Sequence, residues 1–91
     1  MEFKHNEELN RYEAWLDGKL AGEAHYVRTV GVANFDHTLV PRQFEGQGIA
    51  GKLVRHVMDE LRAAGELKVQ PTCPYVVRWF EMHPDYADLL V

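Results

Sequence analysis

The chain has 91 residues, of which 46% are hydrophobic and 26% charged, and this ordinary composition predicts one globular domain over residues 1–91. The length excludes a two-domain enzyme and leaves few side chains that the core can spare for a functional site. With 10 basic and 14 acidic residues the net charge is −4, which argues against nucleic-acid binding through a basic face.

The sequence also limits the compartment and the cofactors. No apolar stretch approaches the roughly 20 residues of a membrane span, and the first eight residues lack the apolar segment of a secretory signal. A single cysteine, Cys73, cannot form an intramolecular disulfide and is typical of a reducing compartment. The five histidines lack zinc-type spacing. We therefore expect a cytoplasmic protein with no metal, no membrane partner and no nucleic-acid partner.

Strands are predicted over the first forty residues. Arg11–Leu16 is rich in aromatic and aliphatic residues, Asp17-Gly18 is a common two-residue hairpin turn, and Lys19–Val27 runs back. Val32–Val40, which follows a glycine, predicts a third strand antiparallel to the second. The segment 3–5 either extends the first strand or forms a short strand of its own. Together these elements predict an antiparallel meander.

Helical spacing replaces strand alternation after Pro41. Apolar residues four apart predict a helix over roughly Gly46–Ala64, and Gly65 is the expected C-terminal cap. Leu67–Gln70 alternates and stops at Pro71. It predicts a short strand, which the helical crossover places parallel to the strand before the helix.

A second helix is predicted from Pro74, because proline is favoured in the first turn, and Cys73 or Thr72 precedes it as the cap. His83-Pro84 ends this helix, and Tyr86–Leu90 is expected to form a last turn. The predicted fold class is therefore α+β with a mixed sheet, in which an antiparallel β-meander is followed by a β-α-β-α unit.

The turn Glu45–Gly51 joins a strand to the long helix and carries three glycines. Gly46, Gly48 and Gly51 match the pattern G-x-G-x-x-G, but a dinucleotide-binding fold needs two βαβ halves and a parallel sheet, for which this chain is too short. Glycine nevertheless lets the backbone approach a ligand, and the positive end of a helix favours an anion. The turn is either a phosphate-binding cradle, which the glycine count favours, or a tight connection whose glycines serve packing.

At these positions the chain resembles the GNAT superfamily of acyl-CoA-dependent N-acyltransferases, and in particular its small single-domain branch. The resemblance covers nearly the whole chain and rests on four segments: His37-Thr38, Val40-Pro41, Gly46-x-Gly48-Ile49-Ala50 and Pro71-x-Cys73-x-Tyr75. It implies acetyl-CoA as cosubstrate and an amine of a small molecule or protein as acceptor. It also implies pyrophosphate contacts at Gly46, Gln47, Gly48, Ile49 and Ala50, and pairing of the pantetheine arm with Leu39 and Val40.

The chain departs from the family pattern at two positions, and the two helices that follow the first strand in larger members are missing. Glu45 replaces the family's Arg or Gln and puts a negative charge beside the expected pyrophosphate. The backbone amides, together with Arg42 or Lys52, would then have to offset this charge. When the family's Asn-x-x-Ala-x-x-x-Tyr motif is laid on Cys73–Phe80, Phe80 takes the place of the proton-donating tyrosine. We therefore expect weakened cofactor binding and a proton donor elsewhere.

Cys73 and His37 are the candidate catalytic residues. A helix N-terminus favours the thiolate form of a cysteine, and a partly exposed thiolate at Cys73 would accept an acetyl group or transfer a proton. The alternative interpretation is that Cys73 is a small, buried, apolar residue. His37 is a base near neutral pH or a half-buried strand histidine. Asp36 is expected on the opposite face from His37, since strand residues alternate. Tyr75 is interpreted as a core or rim aromatic, and the other four histidines as surface or capping residues.

Three functions of different kinds remain open. The first is an acetyl-CoA-dependent N-acetyltransferase. The second is a CoA-binding module with little or no catalysis, which Glu45 and the missing tyrosine allow. The third is a structural, partner-binding α+β domain whose glycines are packing devices. A monomer or weak homodimer is expected, and the sequence does not define the acceptor.

Overall fold

Five strands, two α-helices and two short 3-10 segments make up the computed structural model, which describes residues 1–91. The strands form one sheet in the order of the chain, antiparallel except for the parallel pair of the last two. The predicted α+β fold, a meander followed by a β-α-β-α unit, is confirmed. The elements are β1 (Glu2–Asn6), β2 (Arg11–Leu16), β3 (Lys19–Thr29), β4 (Val32–Leu39), β5 (Lys68–Pro71), α1 (Ile49–Ala64), α2 (Pro74–Met82) and the 3-10 segments Arg42–Phe44 and Pro84–Leu89.

The β2–β3 hairpin forms where the sequence predicts it. Asp17 and Gly18 have φ angles of 52° and 74°, the positive values of a turn whose twist matches that of the flanking strands. Leu16 pairs with Lys19, so the loop has two residues. β3 runs two residues beyond its predicted end, to Thr29. The segment 2–6 is a strand of its own and pairs with β2 at the edge of the sheet.

The long helix begins three residues later than predicted. Gly46 and Gly48 have φ angles of 81° and 71°, in the left-handed region that a right-handed helix excludes. The helix therefore begins at Ile49 with Gly48 as its cap, and the segment 46–48 remains a turn. At the other end Gly65 caps the helix with a φ of 68°, as predicted, and its N–H donates to the Leu61 C=O at 3.0 Å.

β5 is displaced by one residue from its predicted span. It begins at Lys68 and includes Pro71, which pairs with Phe35 of β4. Because proline lacks a backbone N–H, it cannot continue the ladder, and Pro71 is the last residue of the strand instead of the first residue after it. The predicted parallel pairing with β4 is confirmed.

α2 begins as the sequence predicts, with Cys73 as its cap and Pro74 as its first residue. His83 ends the helix, and its Nδ1 donates to the Trp79 C=O at 2.7 Å. The last turn begins earlier than predicted, as the 3-10 segment Pro84–Leu89. Neither α-helix has the length and apolar run needed to cross a bilayer.

α1 packs its apolar face against β2 and β3. Gly22 of β3 allows a close approach, because a Cβ there would lie 3.1 Å from Ile49 Cγ2. Burial of each aliphatic side chain contributes about 1.5–3 kcal/mol, so this contact fixes the first turn of α1, and the glycine turn before it, against the sheet. The buried side chains of α1 are Ile49, Leu53, Val54, Val57, Met58 and Leu61.

A β-bulge interrupts β4 at Asp36. Tyr26 pairs with Phe35 and His25 with His37, so Asp36 is the extra residue. The expectation that Asp36 and His37 lie on opposite faces is wrong: Asp36 Oδ1 lies 2.8 Å from His37 Nδ1. Strict alternation fails here because the bulge shifts the phase of the strand by one residue.

Candidate active site

β4 and β5 separate at one end of the sheet. Their pairing ends at Phe35 and Pro71, where the Phe35 C=O accepts the N–H groups of Thr72 and Cys73, both at 3.0 Å. β4 continues to Leu39 without a β5 partner. The backbone along this edge of β4 is therefore available to a ligand that carries amide groups of its own.

The glycine turn presents backbone N–H groups at the start of α1. No side chain caps the helix and its first turn carries no acidic residue. The first intrahelical bond runs from the Lys52 N–H to the Gly48 C=O at 3.1 Å. The N–H groups of Ile49, Ala50 and Gly51 consequently have no intrahelical partner. Together with the helix dipole, they make this turn suited to an anion.

A cleft between α1 and α2 opens onto the glycine turn. Its larger part has a volume of about 490 Å³ and lies between the two helices. An adjoining part of about 250 Å³ is lined by Val40 and by the turn itself. The two parts share Gly48, Gly51 and Tyr75, so a single extended ligand can occupy both.

The larger part of the cleft is positively charged, although the protein carries a net charge of −4. Lys52, Arg55 and Arg78 line it. Arg55 Nη1 donates to the Tyr86 hydroxyl at 3.3 Å, whereas Lys52 and Arg78 take part in no ion pair. Glu45 lies on the adjoining part and is exposed, where water screens its charge.

Tyr75 forms part of the cleft wall. Its hydroxyl lies 3.3 Å from the position that a Cβ on Gly51 would take, so the absence of a side chain at Gly51 makes room for it. Burial raises the pKa of this hydroxyl, which keeps it protonated and able to donate. Tyr75 is 40% exposed, which agrees with its interpretation as a rim aromatic.

Cys73 lies at the closed end of the gap between β4 and β5. Its thiol is hidden: the residue is 5% exposed, and Sγ lies 3.6 Å from Thr38 Oγ1. The expectation of a partly exposed thiol is wrong, and the alternative of a small buried residue is the one observed, because Cys73 belongs to the hydrophobic core. A ligand lying along the free edge of β4 would nevertheless reach this end of the gap.

His37 is held by contacts on two sides. A carboxylate only accepts hydrogen bonds, so in neutral His37 it is Nδ1 that carries the proton and donates to Asp36, and Nε2 is left as the acceptor. The His37 ring stacks on His25 with centroids 4.1 Å apart. His25 Nε2 in turn donates to Glu23 Oε1 at 2.8 Å. The His37 side chain remains 51% exposed, so its free nitrogen is open to a ligand.

A buried carboxylate supports the polar cluster beside these histidines. Glu13, 4% exposed, accepts from Arg11 Nε at 2.7 Å, Trp15 Nε1 at 3.0 Å and Asn6 Nδ2 at 3.1 Å. Burial raises the pKa of Glu13, but the hydrogen bonds from these three side chains outweigh it and hold the pKa below its usual range. Arg11 Nη1 also donates to Glu23 Oε1 at 2.9 Å, which joins two carboxylates that face each other across β2 and β3.

The family model of the GCN5-related N-acetyltransferases matches residues 11–89. The chain belongs to this family. No curated protein sequence matches the chain.

Solved structures of acetyltransferases share the fold. A GCN5-like candidate N-acetyltransferase from Staphylococcus aureus is similar over 99% of this chain and 87% of its own, with 28% identity and a TM-score of 0.72. The ribosomal-protein-S18-alanine N-acetyltransferase of Escherichia coli is similar over 79% of this chain, with 20% identity and a TM-score of 0.66. The present chain covers 49% of that enzyme, about half its length. The second likeness is one of fold alone.

In this member of the GCN5-related family, five of the seven residues expected to hold the cofactor line one part of the cleft. Leu39 is half-exposed on the free edge of β4, and Gln47 is exposed on the turn without lining the cleft. The residues expected to bind the cofactor that do line the cleft are Val40, Gly46, Gly48, Ile49 and Ala50.

Sequence reasoning missed part of the cationic lining. Of the two cations expected to offset Glu45, Lys52 lines the cleft and Arg42 does not. Arg55 and Arg78 were not anticipated. The spacing of Lys52 and Arg55, three residues apart on the polar face of a helix, is a signal for a shared cationic stripe. No comparable signal exists for Arg78, which comes from the other helix.

Two histidines interpreted as surface or capping residues lie in side-chain clusters instead. The His5 ring stacks on Tyr12 with centroids 4.0 Å apart, and the His25 ring stacks on His37. Their side chains are 28% and 19% exposed. Strand alternation alone did not reveal these contacts, because each needs a partner from a neighbouring strand.

Proposed function

We propose that the protein is an acetyl-CoA-dependent N-acetyltransferase. The observation that carries the proposal is that the glycine turn and the cationic cleft share their walls, and that Val40, which directly follows the free edge of β4, lines the same cleft. These three features correspond to three parts of acetyl-CoA: its pyrophosphate, its remaining phosphate and its amide-containing pantetheine arm. Membership of an N-acetyltransferase family supports the same assignment.

In this proposal the phosphates bind at the start of α1 and in the cleft beside it. The pyrophosphate takes the N–H groups of the segment 46–50 with the helix dipole behind them. Lys52 and Arg78, which no carboxylate neutralises, are the partners of the remaining phosphate. The pantetheine amides pair with the backbone of Leu39 and Val40. With the phosphates at the start of α1 and the pantetheine arm along β4, the thioester lies toward the closed end of the gap between β4 and β5, near Cys73.

The proposed reaction is direct transfer of the acetyl group to an amine. The amine nitrogen attacks the thioester carbonyl and forms the new C–N bond, and His37 Nε2 takes the proton that the nitrogen loses. The C–S bond then breaks, and the departing CoA thiolate takes a proton from the Cys73 thiol. His37 returns its proton to the Cys73 thiolate through solvent, which restores both groups.

Calorimetric titration with acetyl-CoA tests the binding half of the proposal. We expect saturable binding that Lys52→Ala and Arg78→Ala each weaken by about ten-fold, since each removes a charge-assisted contact. Lys19→Ala, at the exposed hairpin turn, is the matched control and should bind as the parent does. Absence of saturable binding at millimolar acetyl-CoA would contradict both the transferase and a CoA-binding module, and would leave a structural, partner-binding domain.

Release of free CoA across polyamines, amino acids and lysine peptides tests the catalytic half. We expect turnover with at least one amine class, and a loss of about 10²-fold or more in His37→Ala. Binding without turnover on any acceptor would favour a CoA-binding module. Intact mass after incubation with acetyl-CoA distinguishes the routes: an added acetyl group that Cys73→Ala abolishes would replace direct transfer by a thioester on Cys73.

The acceptor class, the cytoplasmic location and a monomeric or weakly dimeric state stay predictions. The proposal is compatible with a small-molecule amine and with a protein amine, because the face of β4 that carries His37 is open. The acceptor panel above includes both kinds. Its outcome therefore also assigns the substrate class.

A further inference from the structure

A second groove lies at the far end of α1 from the glycine turn. It has a volume of about 230 Å³ and runs between the last turns of α1 and the first two strands. A smaller cavity of about 30 Å³ adjoins it and shares five lining residues with it: His5, Tyr12, Arg28, Leu61 and Leu67. Glu60, on its rim, lies about 18 Å along the helix from Gly48, so the groove is separate from the acetyl-CoA cleft.

Tyr12 is the polar group at the floor of this groove. The residue is 4% exposed, with its ring stacked on His5 and tilted against Tyr26 and Phe35. Its hydroxyl makes no hydrogen bond with the protein, and no fully enclosed polar atom lacks a partner. The hydroxyl is therefore not fully enclosed, and the groove and the smaller cavity are the spaces that Tyr12 lines. A ligand or water there completes its bonding.

The charges around the hydroxyl are mainly negative. Burial raises the pKa of Tyr12, and the carboxylates of Glu60 and Glu7 raise it further, so the hydroxyl stays protonated while its oxygen keeps free lone pairs. Glu66 adds a third carboxylate, and Arg28 is the one Lys or Arg side chain on the wall.

Two histidines lie close to the carboxylates of the groove. His5 Nδ1 lies 3.9 Å from Glu7, and His56 Nε2 lies 3.7 Å from Glu60. Each ion pair exists only when the imidazole is protonated. Among the carboxylate, Lys and Arg side chains of the wall, three carboxylates face one guanidinium, so the groove favours a cation.

We propose that this groove binds a small organic ammonium ion, whose N–H groups donate to the Tyr12 oxygen and to the carboxylate of Glu60. Its apolar stem lies along Leu61 and Leu67 toward the smaller cavity. The site does not depend on the acetyl transfer proposed above, and it lies away from His37 and Cys73.

Titration with n-butylammonium, followed by backbone amide chemical shifts, tests the site in the full chain. We expect saturable shifts at Tyr12, Leu61 and Leu67, and none of that size at Gly48 or His37. n-Butanol, the neutral control of similar shape, should not reproduce them. Saturable shifts confined to Gly48 and His37, or equal shifts with n-butanol, would overturn the proposal.

Two variants probe the contacts separately. Tyr12→Phe keeps the ring and removes the hydroxyl, and Glu60→Gln changes an exposed helix residue that the core does not need. Each should weaken n-butylammonium binding by about five-fold, the effect of one lost hydrogen bond. Glu81→Gln, an exposed acid on α2, is the control and should bind as the parent does. Unchanged affinity in both groove variants would refute the site.

Discussion

The extra residue in β4 places a carboxylate beside a histidine that strict alternation would have separated from it. Asp36 and His37 are adjacent in sequence and joined at 2.8 Å. The carboxylate fixes which ring nitrogen carries the proton, and the stacked His25 fixes the plane of the ring. Bulges near functional sites often re-aim a side chain in this way. Asp36 is therefore a positioning residue for the base proposed at His37.

Replacement of Asp36 by Ala should separate orientation from binding. We expect kcat to fall by about ten-fold, because neutral His37 then also populates the tautomer whose Nε2 carries the proton and cannot accept another. The KM for acetyl-CoA should not change, since Asp36 contributes nothing to the cleft. Steady-state kinetics on an amine identified by the acceptor panel give both constants. A rise in KM with unchanged kcat would contradict the positioning role.

At the scale of elements, the start of α1 packs against the sheet and also carries the N–H groups proposed to bind phosphate. Gly22 lets Ile49 approach the sheet, and Gly48 turns the chain with a φ of 71° immediately before the helix. The same few residues thus anchor the helix and expose its first N–H groups. A change of backbone conformation at Gly48 should disturb the anion site without touching the core.

Gly48→Ala tests this connection, with Gly31→Ala as the matched control. Both glycines have φ of 71°, and a Cβ on either would meet nothing within 4 Å. Each variant should lose about 1 kcal/mol of stability from left-handed strain, measured by urea unfolding. Gly48→Ala alone should also weaken acetyl-CoA binding in calorimetry. Equal affinity in the two variants would show that the turn plays no part in binding.

The elements that the sequence predicts correctly are those fixed by local chemistry. Asp17-Gly18 sets the hairpin by its own dihedral preference, and Gly65 ends α1 in the same way. The bulge at Asp36 depends on the register between two strands, which no local pattern encodes. The cleft brings Lys52 of one helix to Arg78 of the other. Such groupings arise from tertiary packing, so composition and spacing cannot reveal them.

At the scale of the whole molecule, the charged groups lie around the hydrophobic core, and Cys73 is the one candidate catalytic residue within it. Glu13 is the one charged side chain that is buried, and three side chains hydrogen-bond to it. A buried carboxylate that is fully paired ties the outer face of the sheet together. Its protonation should therefore affect the global stability of the fold.

The pH dependence of unfolding in acid should measure the contribution of Glu13 to stability. Its pKa in the folded state lies below the usual range, so its contribution to stability is complete above the unfolded-state pKa and is lost as pH falls through the folded-state pKa. Glu13→Gln should cost about 2 kcal/mol at neutral pH and should flatten the fall in stability below about pH 4.5. Thermal unfolding across this range measures both effects. Glu8→Gln, at an exposed position, should follow the parent curve at every pH.

The free edge of β4 has a consequence for how this protein can change over time. Beyond Phe35 the strand offers main-chain N–H and C=O groups that no other strand uses. A substitution at Leu39 alters the side chain but leaves those groups in place, unless it introduces proline. The acetyl-CoA binding proposed at this edge should therefore tolerate most point mutations there. The side chains at the end of β4 can therefore change while the pattern of main-chain donors and acceptors stays the same.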